Sequence, residues 1–151
     1  MHRKIEFYRI IYEFLPLIAF DKSETELKSI FVSQIISSIK PQDPYVVKID
    51  EFGNPSVLIE IINIKNDHLF GVIGKLEDLK DGILKRFRNK DDVSVVKPDK
   101  DEINLYIENY TYFYIRFADL ICAVLSNPSA PRFRTHFTNY LKDTLMSFGL
   151  E

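Results

Sequence analysis

The sequence predicts an α+β fold, a mainly antiparallel sheet of about six or seven strands flanked by two main helices. Three observations carry that expectation. Several runs rich in β-branched and aromatic residues are joined by tight turns. Two stretches repeat apolar residues at helical spacing. No regular strand–helix–strand alternation appears. The 151 residues suffice for one domain, residues 1–151, with a substantial core.

The first run, KIEFYRIIYEF (residues 4–14), sets Ile5, Phe7 and Ile11 on one face of an extended chain and Tyr8, Ile10 and Tyr12 on the other. A helix follows. Ser23 and Glu26 make a capping box, in which the hydroxyl accepts from the Glu26 amide and the carboxylate reaches back to the Ser23 amide. Leu27, Ile30, Phe31, Ile35 and Ile39 recur at helical spacing, with Val32 and Ile36 widening the apolar face. Pro41 and Pro44 end it.

Three strand-like runs come next: YVVKIDEF, SVLIEIINIK and HLFGVIGKL. The turn signals GNP and Asn66-Asp67 separate them, which predicts an antiparallel meander. The middle run is apolar on both faces except at Glu60 and Asn63, which places it centrally, between layers. EDLKDGILKRFRNKDD (residues 77–92) predicts a short helix with Leu79, Ile83 and Phe87 on one side; Gly82 weakens it by about 1 kcal/mol relative to alanine. VSVV reads as a short strand and KPDKDE as a polar loop. LYIENYTYFYIRF (residues 105–117) then forms a long strand that turns at Ala118-Asp119 into LICAVL. After SNPSAP a last helix carries Phe133, Phe137, Tyr140, Leu141, Leu145 and Phe148 on one stripe, with Pro131 suited to its first turn.

Composition narrows the function classes. An apolar content of 46% and a charged content of 28% are those of an ordinary globular chain. The formal net charge of −2 argues against a generally basic nucleic-acid binder. The single cysteine, Cys122, leaves no intrachain disulfide and no cysteine cluster for a metal, and its apolar surroundings predict a buried thiol. The N-terminal apolar stretch is broken by Glu6, Arg9 and Glu13, unlike a signal peptide. The uncharged residues 14–20 are too few to span a bilayer. The expectation is a cytoplasmic protein without a membrane partner.

No catalytic, metal or cofactor motif emerges. A metal-dependent nuclease core needs an acidic residue on one strand and an acid-x-Lys pair on the next. Asp50 or Glu51 and then Glu60 begin such a pattern, but residue 62 is Ile and the nearest lysine is Lys65. Glu60 is thus the one carboxylate of an apolar strand, expected to be paired, near the surface or shifted in pKa. His2, His68 and His136 lack metal spacing. GVIGK lacks the spacing of a phosphate loop.

Two features point to binding. In residues 105–117 the even positions hold Tyr106, Glu108, Tyr110, Tyr112, Tyr114 and Arg116, and the odd positions hold Leu105, Ile107, Asn109, Thr111, Phe113, Ile115 and Phe117, the last three as the core face. Strand alternation therefore puts all four tyrosines on one face unless a bulge near Asn109 shifts the register. Separately, Lys85, Arg86 and Arg88 surround Phe87, and Arg132 and Arg134 flank Phe133. Basic residues interleaved with aromatics suit a phosphate backbone, and tyrosine faces suit bases. Acidic neighbours at Asp78, Asp81, Asp91 and Asp92 oppose that for the first cluster.

KIEFYRIIYEF and the later YIENYTYFYIRF and CAVLSNPSAPRFRTHFTNYL resemble stretches of uncharacterised bacterial proteins of defence islands, prophages and plasmids, in which a β-rich N-terminal portion ends in a hairpin and a helix. The abundance of Ile, Lys, Asn, Phe and Tyr suits an AT-rich genome. The resemblance carries no catalytic motif. It implies a bacterial defence or mobile-element setting and no functional residue. The residues themselves suggest a non-enzymatic interaction module that presents a sheet edge, or the face carrying Tyr110, Tyr112 and Tyr114 with Arg116, to a protein partner or to the chain's own copy, because aromatics and arginine are enriched at such contacts. Nucleic-acid binding through that face plus Lys85, Arg86, Arg88, Arg132 and Arg134 is the alternative. A divergent nuclease using Asp50, Glu60 and Lys65 is the third reading.

Overall fold

The computed structural model describes residues 4–14, 19–39, 41, 44–77, 85–90, 93–96 and 105–146. The elements are β1 (Ile5–Arg9), α1 (Glu24–Ser38), β2 (Tyr45–Ile49), β3 (Pro55–Ile64), β4 (His68–Glu77), β5 (Lys85–Asn89), β6 (Val95–Val96), β7 (Leu105–Arg116), β8 (Ile121–Leu125) and α2 (Phe133–Met146). All strand pairs are antiparallel, and the sheet order is β1-β8-β7-β4-β3-β2. The fold is α+β, with the predicted β2-β3-β4 meander in place.

Long strand β7 is the spine. One edge pairs with β4 over its length, from His68↔Arg116 to Glu77↔Ile107, without a register shift. Its other edge is shared: β5 pairs with residues 105–109 and β8 with residues 113–116. Between those two partners lies the backbone of residues 110–112. Asn127 serves it: the side-chain amide donates to the Tyr110 carbonyl at 2.8 Å, and its own oxygen accepts from the Ser129 amide. Buried Asn127 thus supplies the hydrogen bond that neither strand provides.

The two described helices, α1 and α2, lie on one face of the sheet. Phe31, Ile35 and Ile39 from α1 and its C-cap, and Phe133, Phe137, Tyr140, Leu141 and Leu145 from α2, pack in one core with Val57, Ile59, Ile61, Leu69, Ile73, Phe113, Ile115, Cys122 and Val124. The strand residues in that set are those whose direct partners point the same way, such as Phe113 with Gly71 and Val124. Gly71 gives the Phe113 ring its space: a Cβ there would lie 2.6 Å from Phe113 Cζ. Aromatic rings dominate this layer, with Phe113, Phe133 and Phe137 within 4.8–5.2 Å of each other. The Ser23 cap of α1 accepts from the Glu26 amide at 3.2 Å. Cys122 is buried as expected, and burial pushes its thiol up to about 12. Among the described residues no helix is long and apolar enough to cross a membrane.

Four expectations are corrected. Residues 85–89 form a strand, not the end of a helix, because the free edge of β7 captures them and pairing outweighs helix propensity; the part of that expected helix at Leu79, Gly82 and Ile83 lies outside the described residues. The first strand ends at Arg9 rather than running to residue 14. β3 sits one place in from the β2 edge rather than at the centre of the sheet, while both its faces are buried near Leu58: Val57 and Ile59 join the helix-side core and Leu58 a second cluster with Leu76. Pro131 precedes the first residue of α2 by two positions. The expected polar loop at residues 97–102 and Phe148 lie outside the described residues.

Candidate functional site

The face of the sheet away from the helices is the candidate site. Unbroken register along β7 puts Tyr110, Tyr112 and Tyr114 together on it, with no bulge at Asn109. The Tyr106 side chain lies outside the described residues. Pairing carries the face sideways. Phe7, Ala123, Tyr114, Phe70 and Asn63 line up as direct cross-strand partners through five strands. Arg9, Ile121, Arg116 and His68 form the next row.

The β7 part of this face is aromatic and partly exposed, whereas Val72, Leu58 and Leu76 on its β3-β4 part are buried. Phe70 stacks on Tyr112 at 5.5 Å, and His68 stacks on Tyr114 at 5.4 Å. Tyr112 and Tyr114 are 36% and 39% exposed, while Ile5 and Phe7 on β1 reach 54% and 68%. Ile62, at the β3 bulge between Ile61 and Asn63, adds another exposed apolar side chain. The row is held at one end by charge. The Arg116 guanidinium grips Asp119, donating from Nε to Oδ1 at 3.1 Å, and holds that carboxyl below its usual range. At the same rim Asp67 meets His68 Nδ1 at 2.7 Å.

The other end is closed by a buried ionic cluster. Arg88 and Glu108 are 1% and 0% exposed. Arg88 donates through Nε to Glu108 at 2.8 Å, through Nη2 to Glu60 at 3.3 Å and through Nη1 to the Val93 carbonyl at 2.7 Å. Arg86 donates to the other Glu108 oxygen and stands 3.7 Å from Glu60. Two arginines thus balance two glutamates. Gly74 makes this possible: a Cβ there would lie 2.2 Å from the Glu108 carboxylate. Val93 accepts from Arg88 while holding φ at +53°, a costly conformation for a β-branched residue. The Arg86 guanidinium also lies 4.8 Å over the Tyr110 ring, and burial, then a hydrogen bond with Tyr112, raise the Tyr110 hydroxyl pKa.

Of the basic residues singled out in the sequence, Arg86 and Arg88 are therefore engaged by carboxylates beside the tyrosines. Arg132 and Arg134 sit exposed at the start of α2, on the helix side. The Lys85 side chain lies outside the described residues. The two basic clusters do not meet across the tyrosine row.

The nuclease trio is not assembled. Asp50 sits in the turn before β3, accepting from the Phe52 and Asn54 amides, and Lys65 follows the other end of that strand. Ten extended residues separate turns by about 33 Å. His68 faces the tyrosines and His136 rides on the helix of the opposite layer. His2 lies outside the described residues. The GVIGK glycines lie within β4, serving Phe113 and Glu108 rather than a loop. Among the described residues no group of three His, Cys, Asp or Glu could hold a metal.

Sequence reasoning did not join Ile5, Phe7 and Phe70 to the site. The alternation in KIEFYR already set Ile5 with Phe7, but only the β1-β8-β7 pairing aligns them with the tyrosines. Compared with known proteins, the chain matches no family model, no curated protein and no solved structure.

Proposed function

We propose that this chain is a non-enzymatic protein-interaction module whose working surface is the exposed β1-β8-β7 part of the sheet face away from the helices. The observation that carries the reading is the continuous apolar and aromatic row Phe7-Ala123-Tyr114-Phe70 opposite the helix layer, with Phe7 and Tyr114 exposed and Ala123 and Phe70 half-buried. Contiguous exposed apolar surface of this kind marks interaction sites, and aromatic side chains are enriched at the centres of protein interfaces. The engaged state of Arg86 and Arg88 favours a protein partner over a nucleic acid, because cations tied to carboxylates neutralise few phosphates. The proposal places the protein in the cytoplasm. The resemblance noted above extends it to a bacterial phage-defence or mobile-element setting.

The test uses proteins encoded by the adjacent genes, titrated calorimetrically against the wild type and the Tyr112→Thr/Tyr114→Thr variant. Threonine keeps strand propensity, so the variant is expected to stay folded while affinity for the cognate partner falls at least about tenfold, 1.4 kcal/mol. Single-stranded RNA and DNA are titrated in parallel at two salt concentrations. Salt-sensitive nucleic-acid binding that the tyrosine substitutions abolish would replace this reading with the alternative.

A further inference from the structure

We infer that the free edge of β1 pairs with the same edge of a second copy, forming a two-fold dimer centred on Phe7. This deepens the interaction reading and rests on it for its use, though the edge itself can be tested separately.

The hydrogen-bond parity of β1 fixes the geometry. The Ser126 amide donates to the Lys4 carbonyl, and the Ile10 amide donates to the Leu120 carbonyl. Even-numbered residues of β1 therefore bond inward to β8. The N–H and C=O groups of Ile5, Phe7 and Arg9 point outward. Among the described residues no strand pairs with that side.

The two outer strands of the main path differ. β2 carries two register shifts, around Lys48, which twist an edge away from pairing. β1 runs from Ile5 to Arg9 in unbroken register, with no proline, lysine or bulge. Its sequence is self-complementary about Phe7. In antiparallel pairing Phe7 opposes Phe7 of the second copy, Ile5 opposes Arg9, and Glu6 opposes Tyr8, so only outward-pointing groups form the new ladder.

Charge supports the same occupant. Tyr8 donates to Glu6 at 2.6 Å within one chain, and Arg134 on α2 is near enough to act on the Tyr8 hydroxyl. Setting Glu6 opposite the second copy's Tyr8 brings each carboxylate toward the other copy's Arg134. Arg9 meanwhile lies diagonal to the opposing Phe7 ring. The odd positions match odd positions, so both helix layers fall on one side and the two aromatic faces merge into one surface on the other.

The test exploits the pair at the axis. Wild-type protein is expected to sediment as a concentration-dependent dimer. Phe7→Lys and Phe7→Glu each set like charges against each other and are expected to be monomeric. Mixed in equal amounts they should form a heterodimer at least about tenfold more stable than either homodimer. Phe7→Pro removes only an outward N–H, so it should stay folded by circular dichroism and remain monomeric. A wild type that stays monomeric to about 1 mM, or a mixture of the charged variants that gains nothing, overturns the dimer. The Tyr112→Thr/Tyr114→Thr variant keeps the edge: a dimer that persists there while partner binding is unaffected sinks the face reading and leaves the edge standing.

Discussion

Replacing Glu108 with alanine is expected to destabilise the protein by about 3–5 kcal/mol, measured by urea unfolding. The carboxylate is fully buried and accepts from both Arg86 and Arg88. Its removal leaves the Arg88 guanidinium at 1% exposure with only Glu60 and a carbonyl for company. That burial of uncompensated charge, rather than the lost attraction, sets the magnitude. A domain holds about 5–15 kcal/mol in total, and each kcal/mol moves the midpoint of a chain this size by about 2–4 °C. The melting temperature should therefore fall by about 6–20 °C. The double variant Glu108→Leu/Arg88→Met removes one charge of each sign and keeps apolar volume. It should recover most of the loss, because matched apolar replacements of buried ion pairs are often neutral. An alanine variant as stable as the wild type would mean that the cluster is hydrated rather than buried.

The second large effect lies on the opposite side of β7. Phe113→Ala is expected to cost about 3–5 kcal/mol through lost burial and the cavity left behind. The ring touches the Phe133 and Phe137 rings of α2 and fills the notch over Gly71. Gly71→Ala alone forces a methyl into that notch and should cost about 1–3 kcal/mol by overpacking. In the combined variant the two losses should fall short of additivity, since the ring that the methyl strikes is gone. The remaining 2.8 Å approach of that methyl to the Glu60 carbonyl keeps the relief partial. Strict additivity in denaturant melts would contradict the packing described.

The contrast between these two residues explains what was legible in the sequence. Phe113 and Tyr112 are neighbours, and period-2 alternation alone assigns one to the core and the other to the opposite face. The meander, the capped first helix and the α2 stripe are equally local patterns, readable without a fold. Residues 85–89 were not: an Arg-Phe-Arg segment in a charged stretch carries no strand signal until β7 offers an edge. The ionic cluster was half legible. Glu60 stood out as a carboxylate in an apolar run, yet its partners Arg86 and Arg88 lie more than twenty residues away. Glu108, placed among tyrosines, gave no sign that Gly74 would make room for it. Phe7 belongs to the aromatic surface through β8, whose pairing with both β1 and β7 is a long-range fact. Periodicity names the face of a residue; only topology names its neighbours.

The central claim is that Tyr112 and Tyr114 stand on an uncovered face while α2 buries the ring of Tyr140. Nitration of the native protein followed by peptide mapping addresses this directly. Tyr112 and Tyr114 are expected to react. Tyr140, buried and with its hydroxyl pushed up to about 12 by desolvation, is expected to react only after unfolding. Tyr112 and Tyr114 as protected as Tyr140 in the native protein would contradict the account.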